Sequence, residues 1–522
     1  MCRSRLSTCW PPCAPTDCSA RSTLSPCRQA RPARWMTLRL WPGAKQVHEI
    51  ATSLELVARR SERVGELLAE GIVPRVLVAL VGDREVGWLI EAQSTWAFEY
   101  SPDWRQAQDA FALSPGLALS TRVHLDGASS RPVQWYFDNL LPEEELLQVW
   151  VREAKLESAD AFGLLRHFGG ESAGSLVLQD PGAPPAAQGL KPLPWSELSR
   201  RIRNLAATSM TQNAPKRMLL AGAQHKMVVV LQQDDPAKGI FEPLQGTPST
   251  HILKPDSPSS HYPSSAMNEY FTMRLAKAMG LDVPNVYLLH VPEPVYLVQR
   301  FDRTAAANDD SVEREHIIDT CQLLNESRQV KYHSAHLETL ALALDQCQSK
   351  MLARIQLFRW LVFNVLVGNG DNHLKNISFK VTAKGLELAP FYDLLCTGVY
   401  DSVVYAGADR AIWPRSDLSV AMGPVNKFAD VTVDSLLKAG EALGLTHQTA
   451  ERELLTMRKD LAGKAQALAQ GIQQEAAARV QGMPAGADKQ VAQAILGAES
   501  QLLRAIQHIV IKEMLTRLWP AT

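Results

Sequence analysis

The chain has 522 residues, of which 21% are charged, and a net charge of −1. Such a length suits two to four domains of about 150 residues each, and so even a balance of charge gives no global field for nucleic acid or a membrane surface. No uncharged apolar run approaches the roughly 18 residues of a transmembrane helix.

The eight cysteines are lopsided. Cys2, Cys9, Cys13, Cys18 and Cys27 crowd the start, whereas Cys321, Cys347 and Cys396 are scattered through the body. The first group contains no Cys-x-x-Cys pair for zinc, and its surroundings lack the apolar core of a signal peptide. Three scattered cysteines suit a reducing compartment, so a cytoplasmic location is expected.

Residues 1–45 are rich in Arg, Ser, Pro and Cys, and their composition predicts disorder. Met36 offers a later start within them. Residues 46–71 carry Leu54, Val57, Val64, Leu67 and Leu68 at helical spacing. Residues 1–72 as a whole read as an N-terminal extension to the main fold. From residue 73 the pattern changes. Arg75–Leu80 and Val86–Ile90 flank a turn at Gly82-Asp83-Arg84, and Trp96–Tyr100 alternates as a third strand. Pro142 and the acids after it open a helix. A second helix is predicted over Ala159–Phe168 with Ser158 as its N-cap and Gly169-Gly170 as its end. With the strand Ser172–Leu178, residues 73–180 read as a small α+β subdomain. Asp180–Pro194 is a Pro/Ala/Gly linker.

Residues 195–303 read as a small lobe. It has a helix at Ser196–Leu205, strands at Arg217–Leu220, Lys226–Gln232, Ser249–Lys254 and Val295–Phe301, and a helix over residues 267–279. Residues 304–522 read as a helical lobe, with long amphipathic helices over residues 449–516 broken at Gly482–Gly486. The expected fold class is α+β.

The densest chemistry follows a helix that is apolar nearly all round, through Leu352, Ile355, Phe358, Trp360, Leu361, Val362, Val365 and Leu366. Gly368 and Gly370 turn the chain out of it, and Asp371, His373, Leu374, Lys375 and Asn376 follow. Asp371 and Asn376 are five positions apart. Protein kinases use that spacing in the catalytic loop, where the Asp takes the proton of the acceptor hydroxyl and the Asn holds magnesium. A second carboxylate, Asp393, lies in Ala389-Pro390-Phe391-Tyr392-Asp393, after a short strand and a turn at Lys384-Gly385. That is the place of the main metal-binding Asp of a kinase.

Lys254 ends an alternating strand, as does the lysine that meets nucleotide phosphates. Ala221-Gly222-Ala223-Gln224-His225-Lys226 joins two strands with small residues that let backbone N–H groups approach phosphate. Gln299-Arg300-Phe301 stands where a kinase hinge would meet adenine. Other chemistries fit less well. The histidines show no paired zinc spacing. Cys321 reads as core, Asp138 and Glu143–Glu145 as a solvated helix start, and the early arginines as a solvated tail.

With these residues in hand, the chain resembles the HipA family of bacterial toxin–antitoxin serine/threonine kinases from about Arg75 onward. The resemblance is carried by Trp135–Glu143, Phe168-Gly169-Gly170-Glu171-Ser172-Ala173-Gly174, Ala221–Lys226, His251–Lys254, Arg300–Arg303, Asp371–Asn376, Pro390–Asp393 and Ala421-Met422-Gly423. It implies a protein-kinase-like two-lobed fold with a small N-terminal α+β subdomain and a helical C-terminal lobe. It further implies ATP and Mg2+ as cofactors, Asp371 as proton acceptor, and Asn376 and Asp393 as metal ligands. Ala221–Lys226, Lys254, Gln299–Phe301, His373–Asn376, Tyr392 and Asp393 would line the nucleotide, with Lys375 as a clamp on the transferring phosphoryl.

Family precedent implies a protein target such as an aminoacyl-tRNA synthetase. It also implies a HipB-like helix-turn-helix antitoxin, with DNA reached only through that antitoxin, and no membrane. The chain departs from the family in two places. Leu219 stands where members often carry a serine that they autophosphorylate, so self-inactivation there is not expected. Ile318 replaces the usual Glu before Asp319. An inactive antitoxin-binding scaffold and a small-molecule kinase are the competing readings. The intact set Lys254, Asp371, Asn376 and Asp393 favours an active protein kinase.

Overall fold

The structure is a computed structural model, and it describes residues 52–156, 160–205, 210–211, 214–216, 218–219, 222, 224–305 and 312–520. The expectation for residues 1–45 therefore lies outside the described residues, as do Ser158, Ala221 and Ala223.

The first layer is a five-stranded antiparallel sheet in the order β4-β3-β2-β1-β5. Its strands are β1 (Arg75–Val81), β2 (Arg84–Ala92), β3 (Thr95–Tyr100), β4 (Val123–Leu125) and β5 (Leu176–Gln179). Period-two alternation splits its side chains between two cores. Leu77, Ala79, Leu89, Phe98 and Tyr100 face Val133, Tyr136 and Phe137 of the main core. Val76, Val78, Trp88, Ile90 and Ala97 form a second cluster with Leu54, Val57, Val64 and Leu67. Residues 52–72 are thus part of the body rather than an extension. Their helix Glu62–Ala69, capped by Ser61, covers a sheet face that would otherwise meet water. A second cap also differs from expectation: the helix Ala161–Phe168 is capped by Asp160, whose carboxylate accepts from Gly163 N at 2.9 Å.

The second layer is a six-stranded antiparallel sheet in the order β10-β11-β9-β7-β8-β6. Its strands are β6 (Leu190–Pro192), β7 (Met227–Leu231), β8 (Ile240–Pro243), β9 (His251–Pro255), β10 (Val286–His290) and β11 (Pro294–Gln299). Pro255 is tolerated because it is the last residue of β9, where its missing N–H ends the ladder instead of interrupting it. Between β9 and β10 the helix Ser265–Ala278 packs on this sheet, and most of its length is buried.

Beyond it the chain is mainly helical. Lys350–Val367 is buried over most of its circumference; His447–Gln481 and Lys512–Leu518 pack against it, and Ala487–Ala505 packs on His447–Gln481. No described helix is long and apolar enough to cross a membrane. A small sheet of Ile317–Asp319, Ser378–Thr382 and Gly385–Leu388 lies in the same region and brackets the loop after Lys350–Val367.

His316 stitches these layers together. Its Nε2 donates to Leu113 O at 2.9 Å, its Nδ1 accepts from Ser175 Oγ at 3.0 Å, and Phe111 stacks on the ring at 4.7 Å. Burial pushes this imidazole down from 6.5 to about 4. Between those values the unfolded chain binds a proton that the folded chain refuses, so stability is full above the upper value and falls as pH drops. The expected contribution is up to about 1.4 kcal/mol per pH unit. Urea titrations between neutral and mildly acidic pH should give a shallower slope in His316→Gln than in the parent. An equal slope would remove His316 as the cause.

Candidate active site

The site begins at the end of the helix Lys350–Val367. Gly368 sits at φ 67°, and a Cβ there would come within 2.5 Å of Val510 Cγ1 and 2.8 Å of Trp413 Cη2. Only glycine meets both demands. The loop that follows is held by its own side chains. Asn369 Oδ1 accepts from Asp371 N at 3.0 Å, Asn376 Nδ2 donates to Asp371 O at 2.6 Å, and Thr397 Oγ1 accepts from Gly370 N at 2.6 Å. Both backbone groups of Asp371 are therefore fixed, and its carboxylate accepts from the Tyr332 hydroxyl at 2.5 Å.

Asp393 approaches from the chain after Gly385–Leu388. It adopts φ 59°, a left-handed conformation that costs a non-glycine residue energy and tends to survive only where the surroundings enforce it. Its Oδ1 lies 2.5 Å from Lys254 Nζ, and Lys254 Nζ also lies 2.7 Å from Glu269 Oε1. One buried ammonium thus joins strand β9, the helix Ser265–Ala278 and the helical half of the protein. Burial would raise the Asp393 carboxyl, but the ammonium of Lys254 and then that of Lys226 hold it well below the usual carboxylate range. Burial likewise opposes the charge on Lys254, and the carboxylates of Asp393 and Glu269 override it and raise the ammonium. Glu269 goes the other way: its burial outweighs the attraction of Lys254 and pushes it up to about 7. Lys226, pushed down to about 8 by burial and by neighbouring Lys254, brings a second amine to the same place.

Gly222, expected in a phosphate loop, has φ 104°, and a Cβ there would come within 2.9 Å of Lys226 Nζ. Gln224 and His225 continue from it into β7. Gln299 ends β11, and Phe301 stacks on Tyr392 at 5.4 Å. Tyr392 in turn donates to Lys375 O at 2.7 Å. His373 is kept neutral, pushed down to about 4 by burial and then by Lys331.

Four expectations need correction. Lys375 is no phosphoryl clamp. Its ammonium is buried and bonded to Asn139 O at 2.8 Å, Asn139 Oδ1 at 3.0 Å and Asp319 Oδ2 at 2.6 Å, so all three of its hydrogens have acceptors. The side chain of Arg300 is similarly taken, by Asp302, Glu171, Ser249 and Ser172 O, and its N–H donates to Thr250 O at 2.9 Å. Leu374 is fully buried core. Nor is Glu143 solvated: it is buried against Lys331, and its N–H donates to Gly222 O at 3.4 Å. Burial would raise the Glu143 carboxyl, yet Lys375 and Lys331 lower it.

The residues missed by motif reading are Glu269, Glu143 and Tyr332. Glu269 left one usable signal, a carboxylate on a helix otherwise filled with Met267, Phe271, Met273 and Leu275. A buried acid in such company needs a cation.

Behind the hinge lies a second buried network. Glu171 is 0% exposed and meets Lys216 at 2.7 Å, Arg300 at 2.9 Å, Arg303 at 2.8 Å and Arg314 at 2.9 Å. Gly174 N donates to Asp302 Oδ2 at 2.7 Å. The segment Phe168–Gly174 is thereby bolted to Arg300–Arg303.

A lysine on a central strand, an acid on the adjoining helix, and an Asp from the helical half that meets the same lysine define a two-lobed, protein-kinase-like protein. Comparison with known families gives a closer placement. The HipA-like C-terminal domain matches residues 218–482, and the HipA N-terminal domain matches residues 77–179. The chain belongs to the HipA family. It is 30% identical over 341 residues to a serine/threonine-protein kinase toxin HipA of Shewanella oneidensis, across 62% of this chain and 75% of that one. A solved Shewanella oneidensis MR-1 complex of HipA, HipB and operator DNA contains a chain that matches with a TM-score of 0.62 and 26% identity, covering 84% of this chain and 99% of that one.

Proposed function

We propose that this chain is an ATP-dependent serine/threonine protein kinase acting as the toxin of a toxin–antitoxin pair. The observation that carries the reading is the ammonium of Lys254 shared between Glu269 and Asp393 at 2.7 and 2.5 Å. An ion pair of this kind must be in place in an active kinase. A scaffold would have no need to hold an ionised Asp393 in a strained backbone beside two buried lysines.

In this reading Lys254 and Lys226 meet the phosphates, the backbone around Gly222 lies along them, and Gln299–Phe301 offers main-chain groups to the base. Asp371 takes the proton of the acceptor hydroxyl. Asn376 Oδ1 and the Asp393 carboxylate would hold magnesium, a hard cation that accepts a few protein oxygens and completes its shell with water and phosphate. That fits the donors present: among the described residues no group of three or more His, Cys, Asp and Glu could cage a metal alone. Magnesium, when bound, supplies charge neutralisation at the phosphate oxygens. The partner we propose is a HipB-like antitoxin, through which the protein would reach operator DNA, as the solved relative was captured with both. The acceptor we propose is a protein hydroxyl, with an aminoacyl-tRNA synthetase as the family precedent.

Calorimetry with a non-hydrolysable ATP analogue tests the site. Lys254→Ala removes a charged contact to phosphate, and Asp393→Ala removes a metal ligand. Both should weaken magnesium-dependent binding by about tenfold or more, the worth of about 1.4 kcal/mol. Unchanged affinity in both variants would overturn the assignment.

A further inference from the structure

Tyr332 grips the side chain proposed above as the base. Its hydroxyl donates to Asp371 Oδ1 at 2.5 Å, and its ring meets His373 of the same loop edge-on at 4.8 Å. A phenol is a far weaker acid than a carboxylic acid, so it donates to the carboxylate without surrendering its proton. The segment that carries this ring is anchored on two sides. Toward the HipA N-terminal domain, Arg328 Nη1 donates to Pro142 O at 2.9 Å and the Lys331 ammonium pairs with Glu143. Toward the helical half, Leu374 N donates to Lys331 O at 3.2 Å and Ala421 N donates to Ala335 O at 3.1 Å. Ala335 N also donates to Tyr332 O at 3.1 Å. Residues 328–335 therefore form a strut held at both ends, with Tyr332 reaching from it to Asp371.

We propose that Tyr332 is a positioning residue for phosphoryl transfer, its hydroxyl setting the direction in which the Asp371 carboxylate faces the acceptor. This rests on the kinase reading of the site. Asn369 and Asn376 fix the backbone of Asp371 but not the two torsions of its side chain. A base works only within about 2.6–3.2 Å of the group whose proton it takes. A carboxylate swinging on two torsions spends much of its time elsewhere, and the bond from an anchored tyrosine restricts both. Tyr332 acts only through Asp371, so its loss is felt in turnover and not in nucleotide binding.

Tyr332→Phe in the full-length protein removes one oxygen and keeps the ring against His373. With radiolabelled ATP and a cell extract as acceptor, its transfer rate at saturating ATP should fall by about tenfold, the effect of a misplaced reacting group. The KM for ATP should stay at the parent value, as should calorimetric affinity for a non-hydrolysable ATP analogue with magnesium. Tyr332 is 47% exposed, so the melting temperature should hold as well. The double variant decides the matter. Added to Asp371→Asn, Tyr332→Phe should cause no further loss of transfer, because no base remains to be aimed. The same tenfold loss in both backgrounds would overturn the inference, as would parent-like transfer by Tyr332→Phe or a matching loss of nucleotide affinity. Each of those results leaves the kinase reading standing. No transfer by the parent, or full transfer by Asp371→Asn, would remove the assigned base and this inference with it.

Discussion

Asp371→Asn should keep nucleotide affinity nearly intact while phosphoryl transfer falls by about 10²-fold or more, the usual scale for a positioned base. The geometry explains the separation. Asparagine has the size of aspartate and still offers an oxygen to the Tyr332 hydroxyl. The backbone bonds to Asn369 and Asn376 do not involve the exchanged group. The amide, however, cannot take a proton. The groups proposed to meet phosphate (Lys254 and Lys226) and metal (Asp393) sit on other elements and are untouched. Radiolabelled ATP with a cell extract, run beside calorimetry, reads both halves. Full transfer by the variant would remove Asp371 as the base.

The largest loss of stability is expected from Glu171→Gln. The parent sets the carboxylates of Glu171 and Asp302 against Lys216, Arg300, Arg303 and Arg314. Burial would raise the Glu171 carboxyl, but Arg314, Arg303 and their neighbours hold it well below its ordinary value. Removing this one charge leaves four cations facing a single buried carboxylate, and glutamine adds donors where only acceptors were wanted. Breaking such a pair costs about 3–5 kcal/mol. Urea unfolding should show it, with Ser249→Ala, which removes one uncharged donor to Glu171 and leaves its ion pairs in place, costing far less. A loss below about 1 kcal/mol for Glu171→Gln would mean that water reaches the cluster and screens it.

The parts of the site that were legible in the sequence are those whose chemistry is written in neighbouring residues. Asp371 and Asn376 share one turn, Asp393 follows a recognisable hairpin, and Lys254 ends an alternating strand. Their convergence was expected, and the 2.5 Å contact of Lys254 with Asp393 joins residues 139 positions apart. The failures concern direction. Lys375 lies between Asp371 and Asn376 in sequence, but the short 3₁₀ turn Leu374–Asn376 sends its side chain to Asn139 and Asp319. Glu143 looked like one of a solvated run, since nothing near it in sequence announces Lys331 as its partner. The helix at residues 46–71 could be read from its spacing, but the sheet face it covers could not. The β2–β3 turn carries no Gly or Asn, although Gln93 and Ser94 both take positive φ, 52° and 63°.

The bonds made by the HipA N-terminal domain, residues 77–179, have a mechanical consequence. Through Glu171 and Gly174 it is bolted to Arg300–Arg303 at the hinge, and through Asn139 and Glu143 to Lys375 and Lys331 beside the catalytic loop. Two bodies joined at one hinge can swing like a clamshell, whereas a third member pinned to both turns the hinge into a braced triangle. Opening the cleft then requires breaking buried ionic joints as well as rotating a few backbone angles. A brace also transmits load. A load on the outer surface of that domain would pass through these joints to the loop after Lys350–Val367, and by reciprocity a ligand that stiffened the loop would stiffen the surface.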